Sequence, residues 1–446
     1  MSAPLQLRPY QAEAVEALRA AMRRHRRACF QLPTGGGKTI VFGRIAAGVT
    51  ARGRRALILV HRRELIRQTV DKLALFGVEP GVIAAGWPAD PERQIQVASV
   101  QTLARRLDQA PAADLVIVDE AHHAVAGTWA AVIERYPGAF QLGVTATPER
   151  LDGKGLGGCF GELVCGPAVR ELTEAGYLAE ARILTAPPPD LSGVKRVAGD
   201  FATGALAEVM SAGGLIGDAV EHYAEHARGR AAIAFCVTVA HAEMVAARFR
   251  DAGYRAASVD GTMPARERDA IIQGLASGAL EVVTSCALIS EGLDIPDVGA
   301  AILLRPTQSL ALYLQQVGRA LRPKPDGSEA VILDHAGNAI RHGHPTELRL
   351  WSLAGQQARE RAEAAEQRER EKNEREQREL EEVNGRLVEL GASEVDAIRL
   401  RRMPLRKALE LCPTEADLRM LARLRGYKPG FVWHVLRERQ ARGAAA

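Results

Sequence analysis

The chain has 446 residues, of which 47% are apolar, and its formal net charge is only +4. A chain of this length is too long to fold around one hydrophobic core, so we expect two or three domains. No uninterrupted apolar stretch reaches the roughly 18 residues of a membrane span, and the N-terminus lacks a signal-peptide pattern. We therefore expect a cytoplasmic protein with no membrane partner. The six cysteines are scattered without a C-x-x-C pair, which indicates neither a zinc ribbon nor a disulfide framework.

Short apolar strands alternate with helical patterns in two successive sets. The first set is predicted at 29–33, 56–61, 95–100, 115–119 and 141–147, and the second at 231–237, 255–259, 281–285, 299–304 and 329–334. Such alternation predicts parallel sheets covered by helices, and two sets predict two α/β domains in tandem.

The composition divides the chain into five segments. We predict a first α/β domain at 1–185, a connector rich in proline and glycine at 186–204, a second α/β domain at 205–354, a charged helical linker at 355–386 and a small helical module at 387–446. The linker pairs Glu with Arg at i,i+4 and has almost no large apolar residue, so we expect an exposed helix. A coiled coil is the weaker interpretation, because the linker lacks an apolar a/d seam.

The segment QLPTGGGKTI, residues 31–40, resembles a phosphate-binding P-loop, but Leu32 stands where that pattern has its first glycine. Backbone N–H groups of the loop would bind phosphate oxygens, Lys38 would reach the terminal phosphates and the Thr39 hydroxyl would bind Mg²⁺. A glycine-rich turn with a chance lysine is the alternative. The predicted ATP-binding residues here are Thr34, Gly35, Gly36, Gly37, Lys38 and Thr39.

Further along the chain, the apolar run LVIVDEAHH ends in Asp119 and Glu120. This places both carboxylates at the carboxyl end of a strand, where ligands bind in open α/β folds. Asp119 would hold Mg²⁺ directly or through water, and Glu120 would orient the attacking water. A helix start with an acidic first turn would have the same letters. The P-loop that precedes them favours the catalytic interpretation.

Five segments in order resemble the motifs of superfamily 2 helicases and translocases: PTGGGKT, DEAH, TAT at 145–147, EGLDIP at 291–296 and QQVGRALR at 315–322. The resemblance covers residues 5 to 350, and in that superfamily the P-loop commonly lacks its first glycine. LRPYQAEAV at 7–15, VASVQTL at 97–103 and ILDHAGN at 332–338 look most like the bacterial RadD-type repair helicases and related phage helicases. The cysteine-bound zinc region of RadD-type proteins has no counterpart here. The resemblance implies two RecA-like domains.

The resemblance also implies roles for single residues. It assigns adenine recognition to Arg8, Tyr10 and Gln11, coupling of hydrolysis to movement to His122, Thr145, Thr147 and Gln315, and the far wall of the nucleotide site to Gly292 and Asp294. Arg319 and Arg322 would stabilise charge that develops on the γ-phosphate, because guanidinium groups stay charged and offer a rigid fork of donors. For Tyr10, packing of the first helix is an equal alternative. We expect His123 to be a neighbour of the site and not a participant.

Candidate nucleic-acid contacts stand at the ends of predicted strands. They are Arg62, Arg63, Ser99, Gln101, Thr102, Gly261 and Thr262. Hydroxyls, backbone amides and arginines at such positions would bind phosphates without choosing a sequence. Only 4% of the chain is aromatic, which favours backbone tracking over a base-stacking surface.

The last 60 residues are basic. Residues 387–446 contain 12 Lys and Arg against 7 Asp and Glu, a surplus of +5, whereas the remaining residues sum to −1. We expect this module to contact DNA through its arginines and an aromatic among Tyr427, Phe431 and Trp433, with a turn at Lys428 to Gly430. A solvated charged face, or packing of Phe431 and Trp433 onto the motor, would give the same composition.

These features predict an ATP-driven motor on DNA that acts in repair, recombination or replication, with ATP and Mg²⁺ as cofactors. An RNA-directed motor is the first alternative, because few residues of such a core read the sugar. A nucleotide-switched clamp that remodels protein on DNA is the second. The charged linker or the C-terminal module would then recruit a protein partner.

Overall fold

The computed structural model describes residues 6–61, 63–124, 127–150, 155–197, 200–211, 213–286, 298–349, 351–354, 388–390, 400–401, 403–412, 414–427, 431–433 and 435–437. The predicted linker at 355–386 lies outside these residues, as do Arg62, Gly292, Asp294 and the predicted turn at Lys428 to Gly430. The side chain of Arg63 also lies outside the described part.

The apolar runs of the first half form one sheet. Its strands are β1 (Arg27–Gln31), β2 (Ala56–Val60), β3 (Gly81–Ile83), β4 (Ile95–Ser99), β5 (Leu115–Asp119), β6 (Phe140–Thr145) and β7 (Glu162–Cys165). The spatial order is β3-β4-β2-β5-β6-β1-β7, and every neighbouring pair is parallel. The helices are α1 (Pro9–Arg24), α2 (Lys38–Thr50), α3 (Arg63–Ala74), α4 (Val100–Ala104), α5 (Gly127–Glu134) and α6 (Val169–Glu174). Strands β2, β4 and β5 are buried along their whole length, because helices cover both faces.

The second half repeats this architecture. Its strands are β8 (Ala181–Thr185), β9 (Arg196–Val197), β10 (Asp200–Phe201), β11 (Ala232–Cys236), β12 (Ala256–Val259), β13 (Val282–Cys286), β14 (Ala300–Leu303), β15 (Ala330–Asp334) and β16 (Val388–Leu390). The main sheet has the order β12-β13-β11-β14-β15-β8-β16, and β9 and β10 form a separate hairpin. All neighbours in the main sheet are parallel except β16, which runs antiparallel to β8. The helices are α7 (Thr203–Met210), α8 (Gly213–His226), α9 (Val239–Asp251), α10 (Ala265–Ala276), α11 (Leu310–Gly318) and α12 (Asn338–His342).

The predicted fold of two parallel-sheet α/β domains is confirmed. Each of the ten predicted strands overlaps an observed strand, and no end differs by more than two residues. The prediction missed six strands: β3, β7, β8 and β16, which lie at or beside the sheet edges, and β9 and β10 of the separate hairpin. All of them except β8 have four residues or fewer, and β7 is only partly buried, so they lack the long apolar runs of central strands.

Two of the predicted boundaries require correction. We placed residues 181–185 in the first domain, but β8 pairs with β15 of the second sheet, with Ala181 opposite Ala330. We placed residues 388–390 in the C-terminal module, but β16 pairs with β8. Backbone pairing at a sheet edge decides both cases, and it leaves little trace in composition. We propose that the second domain begins near residue 180 and includes β16, and the rest of the division stays a prediction.

The two domains pack against each other. One apolar cluster includes Leu178 of the first domain and Val317 and Leu321 of the second. The backbone N–H of Ala179 donates to the carbonyl of Leu321 at 2.7 Å. The predicted nucleotide site lies at this junction.

The described part of the C-terminal module is helical. It contains α13 (Leu405–Glu410) and α14 (Glu415–Leu424) around a small core of Leu400, Ala408, Cys412, Leu418 and Leu421. Thr414 caps α14, because its hydroxyl accepts from the N–H of Asp417 at 3.1 Å while the Asp417 carboxylate accepts from the Thr414 N–H at 3.0 Å. None of the helices in the described ranges is both long and apolar enough to cross a membrane.

Candidate nucleotide site and polynucleotide face

The predicted site residues line the carboxyl edge of the first sheet. Because its strands are parallel, all of them end at this edge, in the spatial order β1, β6, β5, β2 and β4. The P-loop follows β1, Thr145 ends β6 and Asp119 ends β5. His61 follows β2 and Ser99 ends β4. We call β1, β6 and β5 the nucleotide end of the edge, and β2 and β4 its polynucleotide end.

The P-loop has the backbone geometry that phosphate binding needs. Gly35 and Gly37 have φ of 85° and 89°, a left-handed conformation that favours glycine. Gly37 immediately precedes α2, so the free N–H groups at the start of that helix are available to an anion. Lys38 Nζ donates to the carbonyl of Leu32 at 3.4 Å.

Leu32, which replaces the first glycine of the P-loop pattern, is a core residue. It is fully buried, and a Cβ on Gly36 would lie 2.8 Å from its Cγ. A Cβ on Gly166 would lie 2.5 Å from its Cδ1. The leucine therefore packs beneath the loop, and the glycines at 35 to 37 alone shape the phosphate-facing turn.

The segment predicted to recognise adenine holds the P-loop in place. The hydroxyl of Tyr10 donates to the carbonyl of Gly36 at 2.7 Å, and the ring is buried. Gln11 Nε2 donates to the same carbonyl at 3.4 Å, and Gln11 Oε1 accepts from the N–H of Arg8 at 3.0 Å. This geometry favours the packing alternative for Tyr10, because its ring is buried beside the loop.

Sequence analysis missed Tyr177, which lies beside this segment. The Arg8 guanidinium carbon lies 4.6 Å from the centre of the Tyr177 ring, and the Tyr10 and Tyr177 ring centres are 5.2 Å apart. Tyr177 follows α6 and is far from Arg8 in sequence, so no local pattern pointed to it. Tyr177 and Arg8 therefore pack together beside the segment predicted to recognise adenine.

Asp119 is buried at the end of β5, and the next residue, Glu120, is half-buried beside it. Asp119 Oδ1 accepts from the N–H of Glu120 at 3.0 Å. Burial and the charge of Glu120 raise the pKa of Asp119 to about 7, against the opposing effect of Lys38. Burial alone would raise the pKa of Glu120 too, but Lys38 and three histidines hold it below its usual value. Glu120 thus stays ionised at neutral pH.

One oxygen of the Glu120 carboxylate makes no hydrogen bond in the described part of the chain. This oxygen, Oε2, is buried and lies 3.4 Å from His122 Nδ1. Glu120 is also the only non-glycine residue with positive φ in the described ranges, at 52°. A buried acceptor without a donor, on a strained backbone, is typical of a group that takes part in chemistry.

Asp119 and Thr39 suit a small divalent cation. Carboxylate and hydroxyl oxygens are ligands that Mg²⁺ prefers, and a cation would offset the buried charge that raises the pKa of Asp119. Within the described ranges, no group of three or more His, Cys, Asp or Glu side chains could hold a metal. Mg²⁺ commonly keeps several waters and phosphate oxygens as ligands beside one or two protein oxygens.

The predicted coupling residues of the first domain form one hydrogen-bonded group. His122 Nδ1 lies 3.2 Å from Thr145 Oγ1, whose hydroxyl donates to the Thr147 carbonyl at 2.8 Å. The Thr147 N–H donates back to Thr145 Oγ1 at 3.1 Å. The end of β5 is thereby linked to the segment after β6. Thr147 also lines a cavity of about 100 Å³ with Gln308 to Ala311, which lead into α11 of the second domain.

Helix α11 brings the second domain against the P-loop. Ser309 caps it, since its Oγ accepts from the N–H of Leu312 at 3.2 Å. Gln315 is buried within the helix, and Arg319 and Arg322 follow its last residue half-buried. A Cβ on Gly318 would lie 2.6 Å from Thr34 Cβ. Only glycine allows this approach. Arg319 and Arg322 come soon after Gly318 in the chain, so the contact between α11 and the P-loop segment brings both arginines close to the P-loop.

The candidate polynucleotide contacts are more exposed. Ser99 is buried and its Oγ donates to Oε1 of the exposed Gln101 at 3.0 Å, while Thr102 is half-buried. Gly261 and Thr262 are exposed in the loop after β12, where the N–H and hydroxyl of Thr262 both donate to Asp260 Oδ1 at 2.6 Å.

An ion pair joins the helices that follow these loops. Arg67 of α3 lies 3.8 Å from Asp269 of α10, and both side chains are exposed. Helix α3 follows His61, and α10 follows Thr262. The helices that follow the candidate segments of the two domains therefore contact each other.

The C-terminal module separates the residues that sequence analysis grouped. Phe431 packs into the core of the module, with its ring 4.5 Å from that of Tyr427, whereas Trp433 is 56% exposed. Arg425 donates to the carbonyl of Leu400 and does not reach outward. Arg437 lies over the Trp433 ring at 5.1 Å. Trp433 and Arg437 are thus an exposed aromatic residue and an exposed arginine in contact with each other, and their role in DNA binding stays a prediction.

Comparison with known proteins matches both halves of the chain. Residues 4–150 match the family described as type III restriction enzyme, res subunit, and residues 216–324 match the helicase conserved C-terminal domain. The chain is 34% identical over 286 residues to a 51.5 kDa protein of a Lactococcus phage, covering 64% of this chain and 60% of the relative. It is 31% identical over 337 residues to the putative ATP-dependent helicase IRC3 of Saccharomyces cerevisiae, covering 70% of this chain and 49% of the relative.

A solved structure shares the fold. A fragment of a putative HsdR subunit of a type I restriction enzyme from Vibrio vulnificus YJ016 has a TM-score of 0.59 and is 23% identical, covering 75% of this chain and 66% of that one. The alignments span 60% and 49% of the two curated relatives. None of these proteins tests the closer resemblance to RadD-type helicases.

Proposed function

The chain belongs to the superfamily 2 helicases, whose members hydrolyse ATP, and we propose that it is an ATP-driven motor that moves along or opens DNA. The observation that carries this proposal is the order of elements along the carboxyl edge of the first sheet. Strand β5, which holds Asp119, lies between the strands of the P-loop and of His61. The carboxylates of Asp119 and Glu120 therefore stand where the nucleotide end adjoins the polynucleotide end.

At the nucleotide end, we propose that the loop of Gly35 to Gly37 and Lys38 bind the phosphates of ATP. Thr39 and Asp119 hold Mg²⁺, which supplies charge neutralisation at the phosphates when it is bound. Glu120 orients the attacking water through Oε2, which makes no hydrogen bond in the described part of the chain. Arg8, Gln11 and Tyr177 contact the base.

The second domain completes this site. Gly318 packs on Thr34, so Arg319 and Arg322 enter the site only while α11 lies against the P-loop segment. We propose that these guanidinium groups stabilise charge that develops on the γ-phosphate. Hydrolysis then requires closed domains, and the bonds among His122, Thr145 and Thr147 transmit closure to the segment that faces α11. We assign Gln315, Gly292 and Asp294 to this closure from the family pattern.

We propose that two sets of residues bind phosphates of the polynucleotide. At the polynucleotide end they are Arg62, Arg63, Ser99, Gln101 and Thr102, and in the loop after β12 of the second domain they are Gly261 and Thr262. DNA is favoured over RNA because the matching family of the first domain is a restriction enzyme subunit and because the C-terminal module carries a basic surplus. We also propose that the protein acts in DNA repair, recombination or replication and that it is cytoplasmic.

ATP turnover measured with single-stranded DNA, duplex DNA, a forked duplex and RNA tests this function. We expect DNA to stimulate turnover more than RNA, and the same DNA series to show strand displacement or translocation. Equal or greater stimulation by RNA would indicate an RNA-directed motor. DNA stimulation without strand displacement or movement would indicate a nucleotide-switched clamp, and no stimulation by any polynucleotide would refute the proposal.

A further inference from the structure

Three histidine rings connect the two ends of the carboxyl edge. His61 follows β2 at the polynucleotide end, and His122 and His123 belong to the 3₁₀ turn Ala121–His123 that follows Glu120. The ring centres of His61 and His123 are 5.1 Å apart, and those of His123 and His122 are 4.2 Å apart. Trp129 of α5 stacks on His123 with centres 6.4 Å apart and an angle of 16° between the rings. We call His61, His123 and His122 the histidine stack.

His123 is positioned by its neighbouring rings. Its Nε2 is buried and has no hydrogen-bond partner in the described part of the chain. The ring contacts His61 and His122 at tilts of 46° and 44° and Trp129 at 16°, and these contacts restrict the direction of the side chain. Aromatic pairs at such distances contribute measurable orientation energy beyond simple burial.

The backbone of His123 is attached to the catalytic carboxylate. The His123 N–H donates to the carbonyl of Glu120 at 3.0 Å, which closes the turn. Glu120 itself has the left-handed conformation that is costly for a non-glycine residue. Such a conformation persists only where surrounding contacts enforce it. A displacement of His123 would therefore alter the backbone of Glu120 and the direction of its carboxylate.

We propose that the histidine stack couples polynucleotide binding at the end of β2 to the position of the Glu120 carboxylate, with His123 as a positioning residue. Phosphates bound at the junction of β2 and α3 reorient His61, and the ring contact passes this change to His123 and the turn. The inference rests on the proposed function, because it requires turnover that polynucleotide stimulates. If the rings only fill space beneath α5, their removal changes stability and leaves stimulation intact.

The test compares His123→Leu with His123→Phe. For each variant, ATP turnover is measured without polynucleotide and with saturating single-stranded DNA, and DNA affinity is measured by fluorescence anisotropy. We expect His123→Leu to lower the stimulation ratio about five-fold at unchanged DNA affinity, the low end of typical coupling between two sites. His123→Phe keeps a stacking ring, so its ratio stays within about two-fold of the wild type.

A matched control and a double variant sharpen the result. His222 is half-buried, and its ring stacks on that of His335 with centres 5.1 Å apart, in the second domain. His222→Leu removes a comparable ring pair and should leave the stimulation ratio unchanged. If His61 and His123 act through their contact, the double variant His61→Leu/His123→Leu loses no more stimulation than the more affected single variant.

Each outcome decides between the two claims. If no polynucleotide stimulates the wild type, the proposed function fails and this inference fails with it. If the wild type is stimulated and His123→Leu keeps the full ratio, or His123→Phe loses as much as His123→Leu, the inference alone is wrong. Should His123→Leu not fold, His61→Leu takes its place with the same expected ratio, and an unchanged ratio there would overturn the inference.

Discussion

The two ends of the carboxyl edge of the first sheet are built differently. At the nucleotide end, Asp119, Thr145 and Thr147 are at most 7% exposed, and their neighbours fix them by hydrogen bonds. At the polynucleotide end, Gln101 is exposed and accepts a bond from Ser99 two residues away. Thr262, in the loop after β12 of the second domain, is also exposed and bonds within its own loop. Hydrolysis needs charges and donors fixed in advance, whereas phosphate binding along a strand needs accessible groups. The difference predicts that substitutions at the first end abolish activity and those at the second end reduce it.

We expect the largest losses of ATP turnover from substitutions of Lys38 and Glu120 at the nucleotide end. Lys38→Ala should abolish ATP turnover, because it deletes the phosphate contact of the P-loop. Glu120→Gln should keep ATP binding and lose turnover by about 10³-fold, because only the water-orienting carboxylate is lost. Turnover assays together with binding of a fluorescent ATP analogue separate the two effects, and normal turnover in either variant would refute the site.

The contribution of the second domain to that end is tested at Arg322. Arg322→Ala should lower turnover by about 10³-fold with a modest loss of ATP affinity, since the guanidinium acts on the transition state. Arg248→Ala, an exposed arginine in the last turn of α9, is the control and should turn over normally. If Arg322→Ala matches that control, Arg322 does not belong to the site.

Domain contact is tested at Gly318. Gly318→Ala places a methyl group 2.6 Å from Thr34 Cβ, so α11 must move away from the P-loop segment. We expect turnover to fall roughly 10- to 100-fold while the KM for ATP changes little, because a misplacement near 1 Å has this effect on positioned groups. Gly204→Ala in α7 is the control, since a Cβ there meets open space. Equal turnover of the two variants would show that the observed closeness is irrelevant to hydrolysis.

Removal of the C-terminal module should affect the polynucleotide end alone. Truncation after Leu390 preserves β16 and its pairing with β8, which truncation after Glu382 would destroy. We expect basal ATP turnover to be largely retained, DNA affinity to fall, and the slope of log affinity against log salt to become less steep, because fewer counterions are released. An unchanged salt slope would mean that the module packs or recruits a partner and does not bind DNA.

The smallest expected effect is on stability. Gln316 of α11 is 1% exposed, and both polar atoms of its amide are buried without a partner in the described ranges. Gln316→Met should increase the free energy of unfolding by about 1 kcal/mol, since an unpaired buried polar group is removed. Thermal denaturation measures this directly. A lower Tm would show that the amide makes a stabilising bond in solution.

Sequence patterns predicted the nucleotide end better than its surroundings. Lys38, Asp119 and Glu120 stand in short motifs at strand ends, so local letters are enough to place them at one edge. Tyr177 was missed because its contact with Arg8 depends on packing between distant segments. The predicted roles themselves stay predictions until substitutions test them.

Other features depend on tertiary structure in the same way. The position of His123 between His61 and His122 follows from neighbouring strands, which one sequence does not reveal. Strands β8 and β16 were missed because edge pairing is a backbone property. Phe431 packs against the small core of the C-terminal module, whereas Trp433 is exposed. Composition alone could not show which of the two aromatic residues is buried, because the core has few apolar residues.

The central claim is that polynucleotide binding at one end of this edge is coupled to ATP hydrolysis at the other end. Its most direct test is the steady-state rate of ATP hydrolysis by the wild type at saturating ATP and Mg²⁺, measured without and with single-stranded DNA. We predict that DNA raises the rate about ten-fold or more, which corresponds to roughly 1.4 kcal/mol of coupling between the sites. The same rate with and without DNA would contradict the account.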